Sequence, residues 1–459
     1  MDRLMVTVSG VRGTIGKTLT PQVACDFGCA FGTMLGAGKT VAVGRDSRPS
    51  GPMIRSAVTA GLLATGVHVV DLGLVTTPGT ALMTRLLSAD GGVVITASHN
   101  PSEYNGIKFL DPKGTGLTAA NAGRLKAVWE SRQYSLAAAD GQGTETKNAK
   151  AHGRHVDAVC GVVDVTGIAA RRFKVVLDSV NGAGCVVTPM LLGALGCEVA
   201  HLNAEANGRF AHPPEPIAEN LTGLCEAVRR HHADVGFAVD PDGDRLVIVD
   251  ENGDFIGEEY TLALTAAFVL RRRQGKLAAN LATSRMIDDI AGAAGVEVVR
   301  APTGEANVAE AMAREGCIFG GEGNGGVIEP RVVPVRDSLV GIAYLLQYLA
   351  ETGQTVSRLA AEIPRYEMVK TKFSCPAGVA PEIAARTRRL FAAREGVRFN
   401  DADGLRVDLP DRWVSVRASN TEPILRIFAE ARDRGAAESL IAEVRAVADA
   451  AIRQKGKQG

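Results

Sequence analysis

The chain contains no Cys-x-x-Cys pair, and its eight cysteines are scattered. That spacing argues against both a zinc knuckle and a disulfide framework. Cysteines of this kind are expected to be reduced, buried small hydrophobes. No apolar run is long enough to span a bilayer, since the best one, LALTAAFVL at 262–270, stops at Arg271-Arg272-Arg273. The opening MDRLMVTVSG alternates like a strand and lacks the apolar core of a secretory signal. A cytoplasmic protein with no membrane partner is therefore expected. Charge of one sign is missing as well: 51 Lys plus Arg stand against 51 Asp plus Glu. No global field then favours nucleic acid or an anionic membrane, although local basic clusters can still bind small anions.

What remains is an ordinary soluble composition, 46% hydrophobic and 22% charged, on a chain long enough for about three domains. Apolar, β-branched runs alternate with Ala/Leu/Arg-rich helical stretches over most of its 459 residues, which implies α/β layers. Examples are TVAVGRDSR at 40–48, HVVDLG at 68–73, GGVVITASHN at 91–100 and FKVVLDSVNGAG at 173–184. Each run ends in a polar or Gly-rich turn, where open α/β sheets place ligands. The unit recurs near 175, 235 and 318, suggesting tandem related domains rather than a short-period solenoid. The polar stretch ADGQGTETKNAKAHG at 139–153 is the clearest linker candidate, with weaker breaks near 250–258 and 364–376. The last ninety or so residues differ, with strands expected at 405–409, 413–417 and 424–429 before a helix from about 435. The expectation is three α/β domains with mixed sheets, 1–150, 151–252 and 253–368, and a smaller α+β domain, 369–459.

Asp240-Pro241-Asp242-Gly243-Asp244-Arg245 puts three carboxylates at alternate positions of one turn between apolar strands. Like charges this close are hard to desolvate unless a cation holds them. Oxygen-only ligands favour a hard cation, and magnesium accepts few carboxylates and leaves room for a phosphate. A calcium loop is the rival: Asp240, Asp242, Asp244 and Glu251 fall on positions one, three, five and twelve of an EF-hand. Arg245, however, occupies the position that needs glycine, and the flanks read as strands.

Thr96-Ala97-Ser98-His99-Asn100-Pro101 follows the apolar strand GGVVI and forms a loop presenting Ser98. It lacks the flanking glycines of a nucleophile elbow. Adjacent residues of an extended segment point apart, so Ser98 and His99 do not make a ready dyad. A hydroxyl carrying a phosphoryl group fits better, because it gains about two negative charges and needs the cation that the Asp turn offers.

TASHNP at 96–101 with EYNGIKF at 103–109, DPDGDR at 240–245, GGEGNGG at 320–326 and RASNTEP at 417–423 together resemble the α-D-phosphohexomutase family. The five motifs occur in the family's order and span nearly the whole chain. The resemblance implies four domains around a central cleft, one motif per domain. It also implies phosphoryl movement between O1 and O6 of a hexose through a bisphosphate, with Mg2+ as cofactor and a hexose bisphosphate as primer. By this resemblance Ser98 is the phosphoserine and completes a metal site with Asp240, Asp242 and Asp244. Arg245 is expected to hold the carboxylates or the transferring group. His99 and Lys108 are candidates for contacting that group and moving a proton. Arg12, in SGVRGTIG, resembles the family's arginine near the phosphoserine, and Arg45, in GRDSR, is a further support. Glu322 and Asn324 are implied to bind the 3- and 4-hydroxyls, helped by the loop at Thr303-Gly304. Arg417, Ser419, Asn420 and Thr421, with Arg426 adding charge, form a cradle for the non-reacting phosphate. Gly326 stands where many bacterial relatives carry a histidine, and GEGNGG is more similar to archaeal-type phosphoglucosamine and phosphomannose mutases. A phosphosugar partner and a monomer or homodimer are expected.

Two stretches, GVRGTIGKT at 10–18 and GTMLGAGKT at 32–40, resemble a nucleotide-binding P-loop. In each the leading glycine falls one residue too early, and no clear Walker B partner accompanies them. A phosphosugar-binding protein without turnover would keep RASNTEP and GEGNGG but lose Ser98 or the Asp trio, and both are intact.

Overall fold

The computed structural model describes residues 3–376, 378–418 and 424–456. Four sheets follow one another along the chain. The first has seven strands in the spatial order Met5–Thr7, Gly10–Thr14, Tyr104–Leu110, Gly91–Ile95, Thr40–Arg45, His68–Leu74 and Glu145–Lys147. The second orders Leu246–Val249, Val235–Val239, Lys174–Asp178 and Glu198–Leu202. The third orders Val298–Ala301, Leu277–Asn280, Phe319–Glu322 and Gly326–Ile328. These three are mixed, parallel in the middle with antiparallel partners at one side. The fourth sheet joins Glu367–Ser374, Ile424–Ala431, Trp413–Ala418, Leu405–Asp408 and Arg398–Asn400, all antiparallel. Three α/β units with mixed sheets and a smaller α+β unit are thus present.

The parallel strands are apolar on both faces because helices cover both sides. Val93, Val94, Ile95, Val235, Phe237 and Phe319 are fully buried. One continuous apolar core runs from Val94 and Leu110 through Leu177 and Phe237 to Phe319 and Tyr344, uniting the first three units. The fourth unit has its own core around Val407, Val414, Ile427 and Val444. It meets the third through polar contacts: Arg406 donates to the Leu281 carbonyl (2.6 Å) and Arg285 to the Pro410 carbonyl (2.7 Å). Among the described residues no helix is long and apolar enough to cross a membrane.

Three of the motif-bearing segments share one position. Each is the connection of an antiparallel hairpin: 96–103, 240–245 and 323–325, while 419–423 of the fourth motif lie outside the described residues. In the first three units the strand entering the hairpin also runs parallel to an inner neighbour. The turn therefore lies at the carboxyl end of a parallel strand, where such sheets bind ligands. Neither P-loop-like stretch is a loop before a helix, since residues 10–14 are a strand and 32–35 close the helix Pro21–Leu35. The calcium reading fails on geometry, because the Asp240–Arg245 turn sits between strands and the Glu251 carboxylate is engaged by Ser357.

Candidate active site

Ser98 is a buried, non-glycine residue with φ of +49°, a left-handed conformation that L-residues adopt only when their surroundings enforce it. Its N–H donates to Thr96 Oγ1 (2.9 Å), and its carbonyl accepts from Arg48 Nη2 (2.7 Å). Arg48 is fully buried and donates to three more carbonyls of the same loop, those of Asn100, Pro101 and Tyr104, at 2.6, 2.7 and 3.0 Å. Its Nε is held by Asp46 at 3.1 Å, and Asp46 also accepts from the Thr96 hydroxyl. The planar five-donor fork of arginine suits this task. In GRDSR it is therefore Arg48, rather than Arg45, that supports the loop; Arg45 donates to the neighbouring Asp46 carbonyl.

The Ser98 hydroxyl donates to Asp240 Oδ2 at 2.9 Å, across 142 residues of sequence. Asp240, Asp242 and Asp244 are all buried and present oxygens within 4.8 Å of one another. The N–H groups of Asp244 and Arg245 donate to Asp240 Oδ1 (3.0 and 3.1 Å). Asp242 Oδ2 accepts from Lys108 Nζ and the Thr77 hydroxyl, each at 2.6 Å, and Asp244 Oδ2 accepts from Arg336 Nη2 at 2.7 Å. Among the described residues, the buried Asp242 Oδ1 and Asp244 Oδ1 have no hydrogen-bond partner. Buried carboxylate oxygens left this way are costly unless a cation meets them. Together with an all-oxygen donor set, they fit a hard divalent ion.

The turn is clamped from both sides. Thr76 caps the helix Thr77–Leu86, which presents Thr77, and the Thr77 N–H also donates to the Asp242 carbonyl at 2.8 Å. Asp337 caps the helix Ser338–Thr352, and the Ser338 hydroxyl donates to the Gly243 carbonyl at 2.8 Å.

Burial and the charges of Asp244 and Asp242 push the Asp240 carboxyl well above the usual carboxylate range. Burial works the same way on Asp242, but the charge and hydrogen bond of Lys108, together with hydrogen bonds such as that from the Thr77 hydroxyl, outweigh it and hold that carboxyl low. Lys108 is the mirror image: burial disfavours its charge, while Asp242 and Asp244 raise its pKa and keep it an ammonium. His99, with Nδ1 3.4 Å from the Ser98 hydroxyl, is held down to about 3 by burial and then by Arg245 and Arg12, so its imidazole is neutral.

Above this floor lies a cleft of about 310 Å³ walled by all four units. Arg12, His99 and Lys108 line it from the first unit, Arg245 from the second, and Thr303, Gly304, Glu322 and Asn324 from the third. Lys370 and Phe428 reach in from the fourth. Arg12 donates to Asn100 Oδ1 at 3.1 Å, beside the Ser98 loop. Glu322 Oε1 accepts from Asn280 Nδ2 (2.6 Å) and the Gly304 N–H (3.0 Å), and Oε2 from Arg336 Nη1 (2.8 Å). A carboxylate so held keeps one acceptor position on Oε2 for a ligand donor. Among the described residues Asn324 Oδ1 has no hydrogen-bond partner.

Arg336 joins the two halves of the site. Besides Asp244 and Glu322 it donates through Nε to Glu305 at 2.9 Å. Its stem lies over Gly326, where an added Cβ would stand 2.1 Å from Arg336 Cδ. The space of any side chain at 326 is thus filled by Arg336.

Of the expected phosphate cradle, Ser419, Asn420 and Thr421 lie outside the described residues. Arg417 and Arg426 face each other across neighbouring strands, and Lys372 faces Arg426 on its other side. Like charges directly opposite are unfavourable without an anion. Neither arginine lines the cleft, and Arg417 donates to Asp403 at 2.7 Å, which also accepts from the Thr303 N–H at 3.1 Å.

Comparison with known proteins decides the family. Four descriptions match in order: phosphoglucomutase/phosphomannomutase alpha/beta/alpha domain I over residues 3–134, domain II over 153–253, domain III over 257–366, and the C-terminal domain over 369–447. The chain belongs to the phosphoglucomutase/phosphomannomutase family. A phosphoglucomutase/phosphomannomutase of Thermococcus kodakarensis is 42% identical over 92% of this chain and 93% of its own. A protein of Methanopyrus kandleri named probable phosphoglucosamine mutase is 41% identical over 94% and 95%. The crystal structure of a family protein from Burkholderia thailandensis superposes with a TM-score of 0.84 at 29% identity, covering 97% of this chain and 98% of that one. Membership makes the chain an intramolecular phosphotransferase.

In this mutase the motif residues Ser98, His99, Lys108, Asp240, Asp242, Asp244, Arg245 and Glu322 converge on one cleft and its floor. The structure adds Arg48, Thr77, Glu305 and Arg336, which the motifs did not single out. Arg48 carried one signal, a charged residue inside GRDSR. Arg336 carried another, an Arg-Asp-Ser run closing the apolar stretch 332–335, but neither signal named a partner.

Proposed function

We propose that this family member interconverts a hexose 6-phosphate and its 1-phosphate through a phosphorylated Ser98 and a bisphosphate, with glucosamine phosphate favoured. The observation that carries it is the Ser98 hydroxyl, 2.9 Å from an Asp trio that leaves two buried oxygens unpartnered. Relatives named probable phosphoglucosamine mutase, 35–41% identical, support the substrate. The 42% identical phosphoglucomutase/phosphomannomutase supports mannose or glucose phosphate as the alternative.

Asp240, Asp242, Asp244 and an oxygen of phosphorylated Ser98 would hold Mg2+. When bound, the ion offsets charge on the transferring group without proton bookkeeping. Transfer breaks the bond from phosphorus to Ser98 Oγ and forms one from phosphorus to the sugar oxygen. The sugar hydroxyl's proton passes to neutral His99 and returns to the serine oxygen. Lys108, a fixed ammonium, and Arg245 supply positive charge at the phosphoryl group. Glu322 and Asn324 accept from sugar hydroxyls, and Arg12 steadies the Ser98 loop through Asn100. Arg417 and Arg426, with residues 419–421, bind the distal phosphate. Turning the bisphosphate end for end then presents the other phosphate to Ser98.

The division 1–150, 151–252, 253–368 and 369–459 belongs to the same proposal, supported by the change of sheet near the first two boundaries; the fourth sheet already begins at Glu367, two residues before the last one. So does a cytoplasmic monomer or homodimer, which eight free cysteines suit. The test is turnover of glucosamine, mannose and glucose 6-phosphates with Mg2+ after priming with the matching bisphosphate. Appearance of the 1-phosphate from at least one, fastest from glucosamine, is expected; conversion of none rejects the reading.

A further inference from the structure

Glu259 begins the helix Glu259–Arg272 and lines the cleft, yet none of the expected motifs contains it. Its Oε2 accepts from the Ser284 N–H at 3.0 Å, and among the described residues no cation lies within 4.0 Å of it. Lys370, the cation that acts on it most, pairs with Glu258 at 2.7 Å instead. The other two glutamates of the cleft differ, for Glu322 and Glu305 both pair with Arg336. Glu259 is thus the carboxylate of this cleft without a counter-charge.

Its place is equally particular. A Cβ built on Gly323 would stand 1.9 and 2.1 Å from the two Glu259 carboxylate oxygens. The carboxylate therefore lies flat against the one residue between Glu322 and Asn324. In the proposed reading, where Glu322 and Asn324 accept from neighbouring sugar hydroxyls, this carboxylate stands beside the carbon that adjoins them.

We propose that Glu259 selects a 2-amino hexose phosphate by receiving its ammonium group. The inference rests on the mutase reading and names the substrate class of that same site. Burial, with Glu430 adding to it and Lys370 opposing, pushes the Glu259 carboxyl up to about 8, so in the free protein it is mostly uncharged at neutral pH. An arriving ammonium supplies the missing partner through a charge-assisted hydrogen bond. A neutral 2-hydroxyl meets only the protonated acid and gains an uncharged hydrogen bond, so the charge-assisted bond is available to the amino sugar alone.

The experiment compares kcat/KM for glucosamine 6-phosphate and glucose 6-phosphate in the full-length, Mg2+-loaded, bisphosphate-primed wild type, Glu259→Gln and Glu259→Asp. The glucosamine-to-glucose ratio is expected to fall about tenfold to a hundredfold in Glu259→Gln, mainly through KM, with partial recovery in Glu259→Asp. A ratio that does not move overturns the assignment, even if both activities drop together. Calorimetry on the wild type reads the same preference without any variant: affinity for glucosamine 6-phosphate should exceed that for glucose 6-phosphate by about tenfold or more. Equal affinities overturn the proposal while leaving the mutase reading intact. Failure of the wild type to convert glucosamine, mannose and glucose 6-phosphates alike overturns both.

Discussion

Replacing Gly326 by alanine tests how tightly the metal turn and the sugar loop are joined. The new methyl would stand 2.1 Å from Arg336 Cδ and 2.7 Å from Cγ, so it strikes the stem of the side chain rather than its movable end. Arg336 is pinned by Asp244, Glu305 and Glu322 and cannot swing aside without leaving all three. Overpacking alone costs about 1–3 kcal/mol, and freeing buried carboxylates from their guanidinium costs about 3–5 kcal/mol. Gly326→Ala should therefore destabilise the folded protein by about 3 kcal/mol or more and lower kcat/KM. Arg336→Ala should cost a similar amount through its unpaired carboxylates. In the double variant the clash has no partner left, so the second substitution should add little. Urea denaturation of the four proteins gives the coupling, expected at about 3 kcal/mol. Additive costs, with a coupling below about 0.5 kcal/mol, would refute the idea that Arg336 occupies the space over Gly326.

Glu322→Ala removes an acceptor from the cleft and should lower kcat/KM about tenfold to a hundredfold, raising KM and reducing kcat; unchanged kinetics with every hexose phosphate would remove Glu322 from the site. Mg2+ at a hundred times its dissociation constant should stabilise the wild type by about 2.7 kcal/mol over an EDTA-treated sample, a gain read by melting temperature that Asp242→Asn should abolish. Glu259 carries a pH signature: its carboxyl titrates at about 8 when folded against an ordinary 4.5. Between those values the folded chain binds the extra proton, so stability falls as pH rises. The groups acting on it are Lys370, Glu258, Glu430 and the Ser284 N–H, and Glu259→Gln removes only its own contribution. The melting temperature of Glu259→Gln should rise relative to wild type from pH 4.5 towards 8; a constant difference would contradict this.

Ser98 and the three aspartates were legible in the sequence because each lies in a short contiguous motif whose chemistry is local. The strand expectations near 91, 175, 405 and 413 match the observed elements to within a few residues for the same reason, since a buried strand announces itself by apolar, β-branched runs. Arg336 was not legible. Its partners Asp244, Glu305 and Glu322 come from two units, and nothing local to residues 332–338 names them. Arg48 and Arg45 share one motif, and only the end of the strand at Arg45 decides which guanidinium turns under the Ser98 loop. Gly326 shows the converse: the departure from a histidine was visible in the sequence, while the arginine filling that space required the fold. The P-loop resemblances failed already on glycine spacing, and the fold agrees, since residues 10–14 pair as a strand and 32–35 close a helix.

The account depends on Ser98 carrying the phosphoryl group. Incubation with Mg2+ and a phosphorus-labelled hexose 1,6-bisphosphate, followed by peptide mapping, reads this directly. One phosphoryl group per chain on Ser98 is predicted, passed on to added hexose monophosphate and absent from Ser98→Ala, whose turnover is lost. Label on another residue, or mutase turnover undiminished in Ser98→Ala, would contradict it.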